Sequence, residues 1–263
     1  MKHEPRLNVP YLFSGAQEAF QRRPGLCMAM FLLFSIFSGN GGGGNGQDNA
    51  NMPAWIGITG ALVGLIIFLC SGAIRGGYDM AMLRLHRGDD SLVFRDVFAG
   101  FKKFWRLFGT VLLLILIVIG AVLVPLLFAV LLAALLDIWT NVVLWSAFGA
   151  IGLALAFTAC LGLWPSFLML MEEDLRPTET VRRAWKLTEG YKATLLWLSL
   201  TCLLLWILVV AAAGCVFLIF SFGVASILPA GAVGIGLALF VGPLTQLAWI
   251  GAYRELRGSA DPG

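Results

Sequence analysis

The chain alternates between long apolar runs and shorter polar segments, and the alternation occurs six times. The apolar runs cover 25–38, 54–74, 108–136, 142–171, 193–222 and 226–253. A hydrocarbon core of about 30 Å is crossed by roughly 20 residues of apolar helix, so each of the last five spans with some tilt. The first run is the shortest. It spans if its helix reaches back past Pro24 toward Phe20, with Arg22 and Arg23 extending to the headgroups. A cleaved signal peptide is the rival for this segment, but the polar leader before the apolar core is long for one. The pattern predicts an all-α membrane protein with six transmembrane helices in a single transmembrane domain, 1–263. Pro125, Pro165 and Pro243 fall within the runs and are expected to kink the helices.

The polar segments carry a second period. In 92–106, Phe94, Val97, Phe98, Phe101, Phe104 and Trp105 recur at helical spacing, with Arg95, Asp96, Lys102, Lys103 and Arg106 opposite. Segment 178–188 repeats this with Val181, Ala184, Trp185 and Thr188, and segment 12–21 with Leu12, Phe13, Ala16 and Phe20. Such segments lie in the membrane interface, which predicts three interfacial amphipathic helices. A small residue followed by an aromatic recurs at Ala19-Phe20, Gly100-Phe101 and Ala184-Trp185. The chain leaves each even-numbered span through Arg87-Gly88, Arg176-Pro177 and Arg257-Gly258. Together these predict a pseudo-threefold repeat of helix–span–span units at about 11–88, 91–177 and 178–258. The even-numbered spans carry small residues at four-residue spacing, Gly60 and Gly64, Ala150 and Ala154, Ala232 and Gly236. Small residues let membrane helices approach closely, so these spans are expected to pack together.

Composition supports the membrane reading. Apolar residues make up 59% of the chain and charged residues 13%, against about 25% charged in soluble domains. Every Lys and Arg lies in the N-terminal segment, the second loop, the fourth loop or the C-terminal tail. The first, third and fifth loops hold only Asp48 and Asp137 as charged residues. Basic residues stay on the cytoplasmic side, so both termini are expected there. The Gly/Asn-rich segment 39–53 then becomes a flexible external loop.

Several short motifs resemble a known family. They are Gly77-Tyr78-Asp79, Leu83-Arg84-Leu85-His86-Arg87-Gly88, Asp96-Val97-Phe98-Ala99-Gly100-Phe101 and Ala184-Trp185-Lys186-Leu187-Thr188-Glu189-Gly190, followed by Gly242-Pro243 and Tyr253-Arg254-Glu255-Leu256-Arg257. With the span pattern they resemble an uncharacterised six-span family of bacterial integral membrane proteins. That family is allied to the membrane domain of glycerophosphoryl diester phosphodiesterases. The resemblance implies a cytoplasmic (inner) membrane location. The phosphodiesterase activity of those relatives resides in a separate soluble domain, so no catalytic residue is carried over. The Gly/Asn-rich loop departs from the family pattern.

Candidate chemistry is sparse. The five cysteines lie in apolar runs without metal or disulfide spacing, and two histidines are too few for a histidine-rich metal site. The centres of the spans hold no ionisable residue, although intramembrane charges usually mark ion pathways. Hydroxyls such as Thr158, Ser166, Ser199, Thr201 and Thr245 are expected to bond the preceding helical turn. Gln246 is the polar side chain in a span with the greatest need of a partner, and a helix–helix hydrogen bond is the first expectation. Asp79 has Arg75 at ion-pair spacing. Glu172, Glu173 and Asp174 could hold a divalent cation, but pairing with Arg182 and Arg183 or solvation is favoured. Gly41–Gly44 lacks the lysine of a phosphate loop. The sequence therefore predicts no enzyme, no cofactor, no metal and no nucleic-acid partner. It predicts a membrane scaffold or accessory protein acting through a basic, aromatic cytoplasmic collar: Arg95, Lys102, Lys103, Trp105, Arg106, Arg182, Arg183, Trp185 and Lys186. The partner is anionic membrane lipid or a protein. The alternative is an uncoupled small-solute or lipid transporter with a weakly polar cavity near Gln246.

Overall fold

The computed structural model describes residues 7–38, 54–89, 91–136, 142–219 and 224–260. Every regular element among them is helical. In chain order these are α1 (Val9–Arg22), α2 (Pro24–Ser38), α3 (Ala54–His86), a 3-10 helix (Phe94–Lys103), α4 (Phe104–Leu136), α5 (Val142–Leu163), α6 (Ser166–Glu173), α7 (Pro177–Leu187), α8 (Lys192–Ile219) and α9 (Val224–Ala260). Among the described residues, four stretches are long and apolar enough to cross a membrane: Phe94–Leu136, Val142–Glu173, Lys192–Leu218 and Pro229–Gly258. α2 contributes a shorter apolar helix. The Gly/Asn-rich segment 39–53 lies outside the described residues.

Local chemistry sets the helix ends. Proline occupies the first turn of α1 and α7, where the missing N–H would have no intrahelical partner. Gly88, at φ 82°, turns the chain out of α3, a left-handed conformation that costs glycine nothing. Pro165 separates α5 from α6, and the Ser166 hydroxyl donates to the Leu163 carbonyl at 2.6 Å across that break. Pro125 and Pro243 instead lie inside continuous helices. The three chain signals that follow the even-numbered runs have different roles. Gly88 ends α3, Pro177 begins α7, and Gly258 lies within α9.

The chain forms two compact units, with boundaries at 104/105 and 195/196. These boundaries differ from those of the sequence repeat. The first unit comprises 1–104 and 196–263. In it α3 packs against the 3-10 helix, α2 and α9, while α1 lies along α9. Phe34 stacks on Tyr78 at 4.8 Å, Phe20 meets Phe240 edge-on at 5.1 Å, and Gly242 leaves room for the Phe31 ring. The second unit, 105–195, is centred on Leu107 of α4 with Phe167 and Leu170 of α6. Here α5 approaches the α4 backbone at Gly152, and α7 rests on α5 at Gly162.

Gly60 lies outside the residues whose surroundings are described, and the other five small residues do not mark the packing positions expected of them. A Cβ on Gly64 or Gly236 would meet no atom within 4 Å, and Ala150, Ala154 and Ala232 are exposed. Close approach occurs where a glycine faces a backbone or a ring: Gly77, Gly100, Gly152, Gly162 and Gly242. Spacing identifies a smooth helix face, but the neighbour decides whether that face is used.

Candidate functional site

The collar is built around a close backbone contact. A Cβ on Gly77 would overlap the Val97 carbonyl, and one on Gly100 would overlap the Ala73 carbonyl. The 3-10 helix therefore lies directly on α3, with Val97 and Gly100 buried. Three residues per turn place positions i and i+3 in line, so these two share the inward row. Of the residues expected on the apolar face, toward the acyl chains or the bundle, Val97 turns inward and Phe94, Phe98 and Phe101 turn outward. Phe94, Phe98 and Phe101 are exposed, and with Phe104 they form a ribbon of neighbouring rings 6.2–6.4 Å apart. Trp105, at 79%, is the most exposed aromatic of the collar.

Arg84 of α3 fixes the approach to this helix. Its guanidinium pairs with Asp89 at 2.7 Å and Asp96 at 3.4 Å, and Asp96 accepts the Val93 N–H at 3.0 Å. Arg23 donates to the Leu92 carbonyl at 2.7 Å. Hydrogen bonds from the Ser91 hydroxyl and from Arg84 hold the Asp89 carboxyl down at about 2.

The α7 part of the collar is anchored differently. Thr180, Ala184 and Thr188 face inward, and the Thr188 hydroxyl lies 3.1 Å from the Gly162 carbonyl. The Trp185 ring covers Gly162, with Lys192 Nζ 3.5 Å from the ring centroid. Arg183 pairs with Glu173 at 2.8 Å and Glu179 at 2.7 Å, and Arg106 pairs with Asp174 at 2.6 Å. Of the nine collar residues, Arg106, Arg183 and Trp185 therefore have internal structural contacts. Arg95, Lys102, Arg182 and Lys186 are exposed and make no ion pair among the described residues. Lys103 is half-buried.

Gln246 takes a helix partner. Its amide donates to Asp79 Oδ1 at 2.5 Å, joining α9 to α3, and Arg75 Nε stands 3.9 Å from the same carboxylate. Asp79 is 3% exposed. The neighbouring Tyr78 hydroxyl is buried with no hydrogen-bond partner among the described residues. Thr158, Ser166, Ser199, Thr201 and Thr245 all bond carbonyls three or four residues back in their own chain segment. Among the described residues no cluster of His, Cys, Asp and Glu could hold a metal ion.

A cavity of about 300 Å³ opens between α1, the end of α3 and α9, lined by Tyr11, Gly15, His86, Gly251, Arg254 and Glu255 among others. Arg254 Nη1 lies 2.7 Å from His86 Nδ1 and donates to the His86 carbonyl at 3.0 Å. A guanidinium only donates, so Nδ1 accepts and the proton resides on Nε2 of a neutral ring. Burial, with Arg254 adding to it, pushes the His86 pKa below the usual histidine range. Sequence reasoning passed over this site because it weighed His86 as a metal ligand, Arg254 as a topological charge and both as parts of separate short motifs, and never brought the two together. The available signal was the spacing of Gly251 and Gly258, two turns apart on one helix face.

No family model, curated protein or solved structure matches the chain.

Proposed function

We propose that the chain is a non-enzymatic scaffold or accessory protein of the bacterial cytoplasmic membrane, holding anionic lipid through its basic, aromatic collar. In this reading the chain crosses six times, α2 and the apolar part of α3 supplying the first two spans, with both termini in the cytoplasm. The carrying observation is the outward face of the 3-10 helix, where Phe94, Phe98 and Phe101 are exposed along with Arg95 and Lys102, and the exposed Trp105 follows at the start of α4. Aromatic side chains favour the headgroup level, and each nearby Lys or Arg adds about 1 kcal/mol of attraction to an anionic surface.

The threefold repeat belongs to the same proposal. It is supported by a relation that occurs three times. The 3-10 helix packs on α3, α7 on α5 and α1 on α9, so each interfacial segment rests on a helix that holds an even-numbered apolar run. Membership in the six-span family is also proposed. Its motif residues Gly77 and Gly100 are packing glycines, which suits an architectural role for those motifs.

Replacing Arg95, Lys102, Arg182 and Lys186 together with Gln tests the proposal. The protein would be purified in mild detergent and its retained lipid quantified by mass spectrometry. Anionic lipid per protein should fall several-fold. Unchanged lipid content overturns the lipid reading. Loss of a co-purifying protein instead assigns the collar to a protein partner.

One observation favours a second reading, an uncoupled lipid or small-solute transporter. The small-residue faces at Gly64 and Gly236 carry no close contact, so they do not seal the bundle in the way a scaffold of tightly packed even-numbered spans would require. Against it, Gln246 is engaged in an interhelical hydrogen bond with Asp79. Lipid or solute flux in reconstituted vesicles separates the two readings.

A further inference from the structure

The cavity between α1, α3 and α9 has walls of mixed charge. Arg254 and Glu255 both line it, with Tyr11 from α1 and His86 from α3. A purely anionic ligand would meet the Glu255 carboxylate, and a purely cationic one the Arg254 guanidinium. A ligand carrying both charges on neighbouring groups satisfies both. Its volume of about 300 Å³ lies at the lower end of small-ligand pockets, which suits a headgroup rather than a whole lipid.

The imidazole is positioned to donate. With Nδ1 held by Arg254 at 2.7 Å, Nε2–H faces the wall formed by Gly15 and Gly251. A Cβ on Gly251 would stand 3.3 Å from Nε2, and one on Gly15 3.8 Å away. Glycine at both positions keeps that N–H uncovered, and a larger side chain at either would screen it. The guanidinium N–H groups that His86 does not engage and the imidazole Nε2–H are the donors on this wall, with the carboxylate of Glu255 available for a cationic group. The α1 wall comes from a helix that buries Leu12, Ala16, Ala19 and Phe20 and exposes Tyr11, the form of an element lying at headgroup depth.

We propose that this cavity binds the headgroup of a zwitterionic phospholipid bearing a primary ammonium, with Arg254 and His86 on its phosphodiester and Glu255 on its ammonium. The inference rests on the membrane reading for the source of the ligand and is independent of the collar.

The test uses the purified full chain in uncharged detergent, titrated calorimetrically with short-chain phosphatidylethanolamine. Phosphatidylcholine, phosphatidylglycerol, free phosphoethanolamine and inorganic phosphate serve as comparisons. Phosphatidylethanolamine should bind at least tenfold more tightly than the other two lipids, because a quaternary ammonium cannot donate to Glu255 and a glycerol headgroup lacks the cation. Gly258→Phe should abolish binding. Gly258 also lines the cavity, and no atom lies within 4 Å of a Cβ there, so a ring has room to enter without displacing protein. Glu255→Gln should erase the preference over phosphatidylglycerol. Arg95→Gln and Lys102→Gln on the collar should leave both affinity and preference unchanged. Equal affinity for phosphatidylethanolamine and phosphatidylglycerol in the unaltered protein overturns the proposal, as does normal binding by Gly258→Phe. Inorganic phosphate or free phosphoethanolamine binding as tightly as the lipid assigns the cavity to a soluble ligand and overturns the lipid. Loss of anionic lipid in the collar variants alone speaks to the collar and leaves this site standing.

Discussion

Gly77 and Gly100 illustrate how much depends on single hydrogen atoms. Each faces a carbonyl that a Cβ would overlap, so Gly77→Ala or Gly100→Ala forces two backbones apart. Overpacking of this kind costs about 1–3 kcal/mol, and backbone on both sides leaves little room to relax. Thermal unfolding in detergent should show a clear drop in midpoint for either variant. Gly64→Ala and Gly236→Ala should be neutral or mildly stabilising, since they meet open space and alanine is the better helix former. A second residue-scale prediction concerns His86. Its folded pKa lies below the ordinary histidine value through burial and Arg254, with Arg22 lowering it and Glu18 raising it. The unfolded chain therefore binds the proton more readily, and stability rises with pH. The contribution is present above the ordinary value of 6.5 and lost as pH falls below it. Unfolding followed across mildly acidic pH should show this slope, and His86→Gln, whose amide oxygen still accepts from Arg254, should flatten it. At this scale the sequence was most informative where a local rule applied. The Asp79–Arg75 spacing, the self-bonding hydroxyls and the need of Gln246 for a helix partner are all visible in it. The identity of that partner, Asp79, was not, because the two residues are 167 positions apart.

Among elements, the 3-10 helix differs most from its sequence reading. Its position and amphipathic character were legible, but its helix type and orientation were not. Over ten residues, Phe94, Phe98 and Phe101 fit an apolar α-helical stripe, and nothing in the pattern says that Gly100 would meet a glycine-bearing helix. Contact with α3 decided the matter by drawing in the row of Val97 and Gly100. Arg84 is the side chain that holds this element in register, reaching Asp89 and Asp96 together. Arg84→Gln should speed hydrogen exchange at Val93 and Asp96, whose N–H groups bond Asp96 Oδ2 and the Val93 carbonyl, and leave exchange along α7 unaltered. Equal protection in the variant would show that Arg84 is incidental. The same network has an acid limit. Asp89 sits at about 2 against an ordinary 3.8. Its contribution is therefore complete above 3.8 and disappears as pH falls toward 2, which should appear as faster exchange in 89–96 over that window.

For the whole molecule, the charge partition carries the topology prediction. Cysteines introduced at Asn45 and Asp137 should react with an impermeant thiol reagent in intact cells, whereas those at Asp90, Glu179 and Ser259 should react only after lysis. Labelling of position 90 from outside would reverse the orientation. The sequence speaks to this level because the rule for basic residues acts on short flanking segments. It does not speak to the grouping of helices, since boundaries at 104/105 and 195/196 arise from contacts between distant segments. One such contact bears on the order in which the protein can be made. The 3-10 helix and α7 each rest on a helix synthesised before them, so both can dock as soon as they emerge. α1 emerges first, yet it rests on α9, the last helix described. Throughout translation its Leu12, Ala16 and Phe20 lack the surface that finally buries them, and a chaperone, the translocation machinery or lipid must shield them meanwhile. Ribosome-bound chains stopped before 224 should therefore be cleaved by protease within α1, while released full-length chains resist at the same sites. Assembly is in this sense closed by the earliest-made of the described helices.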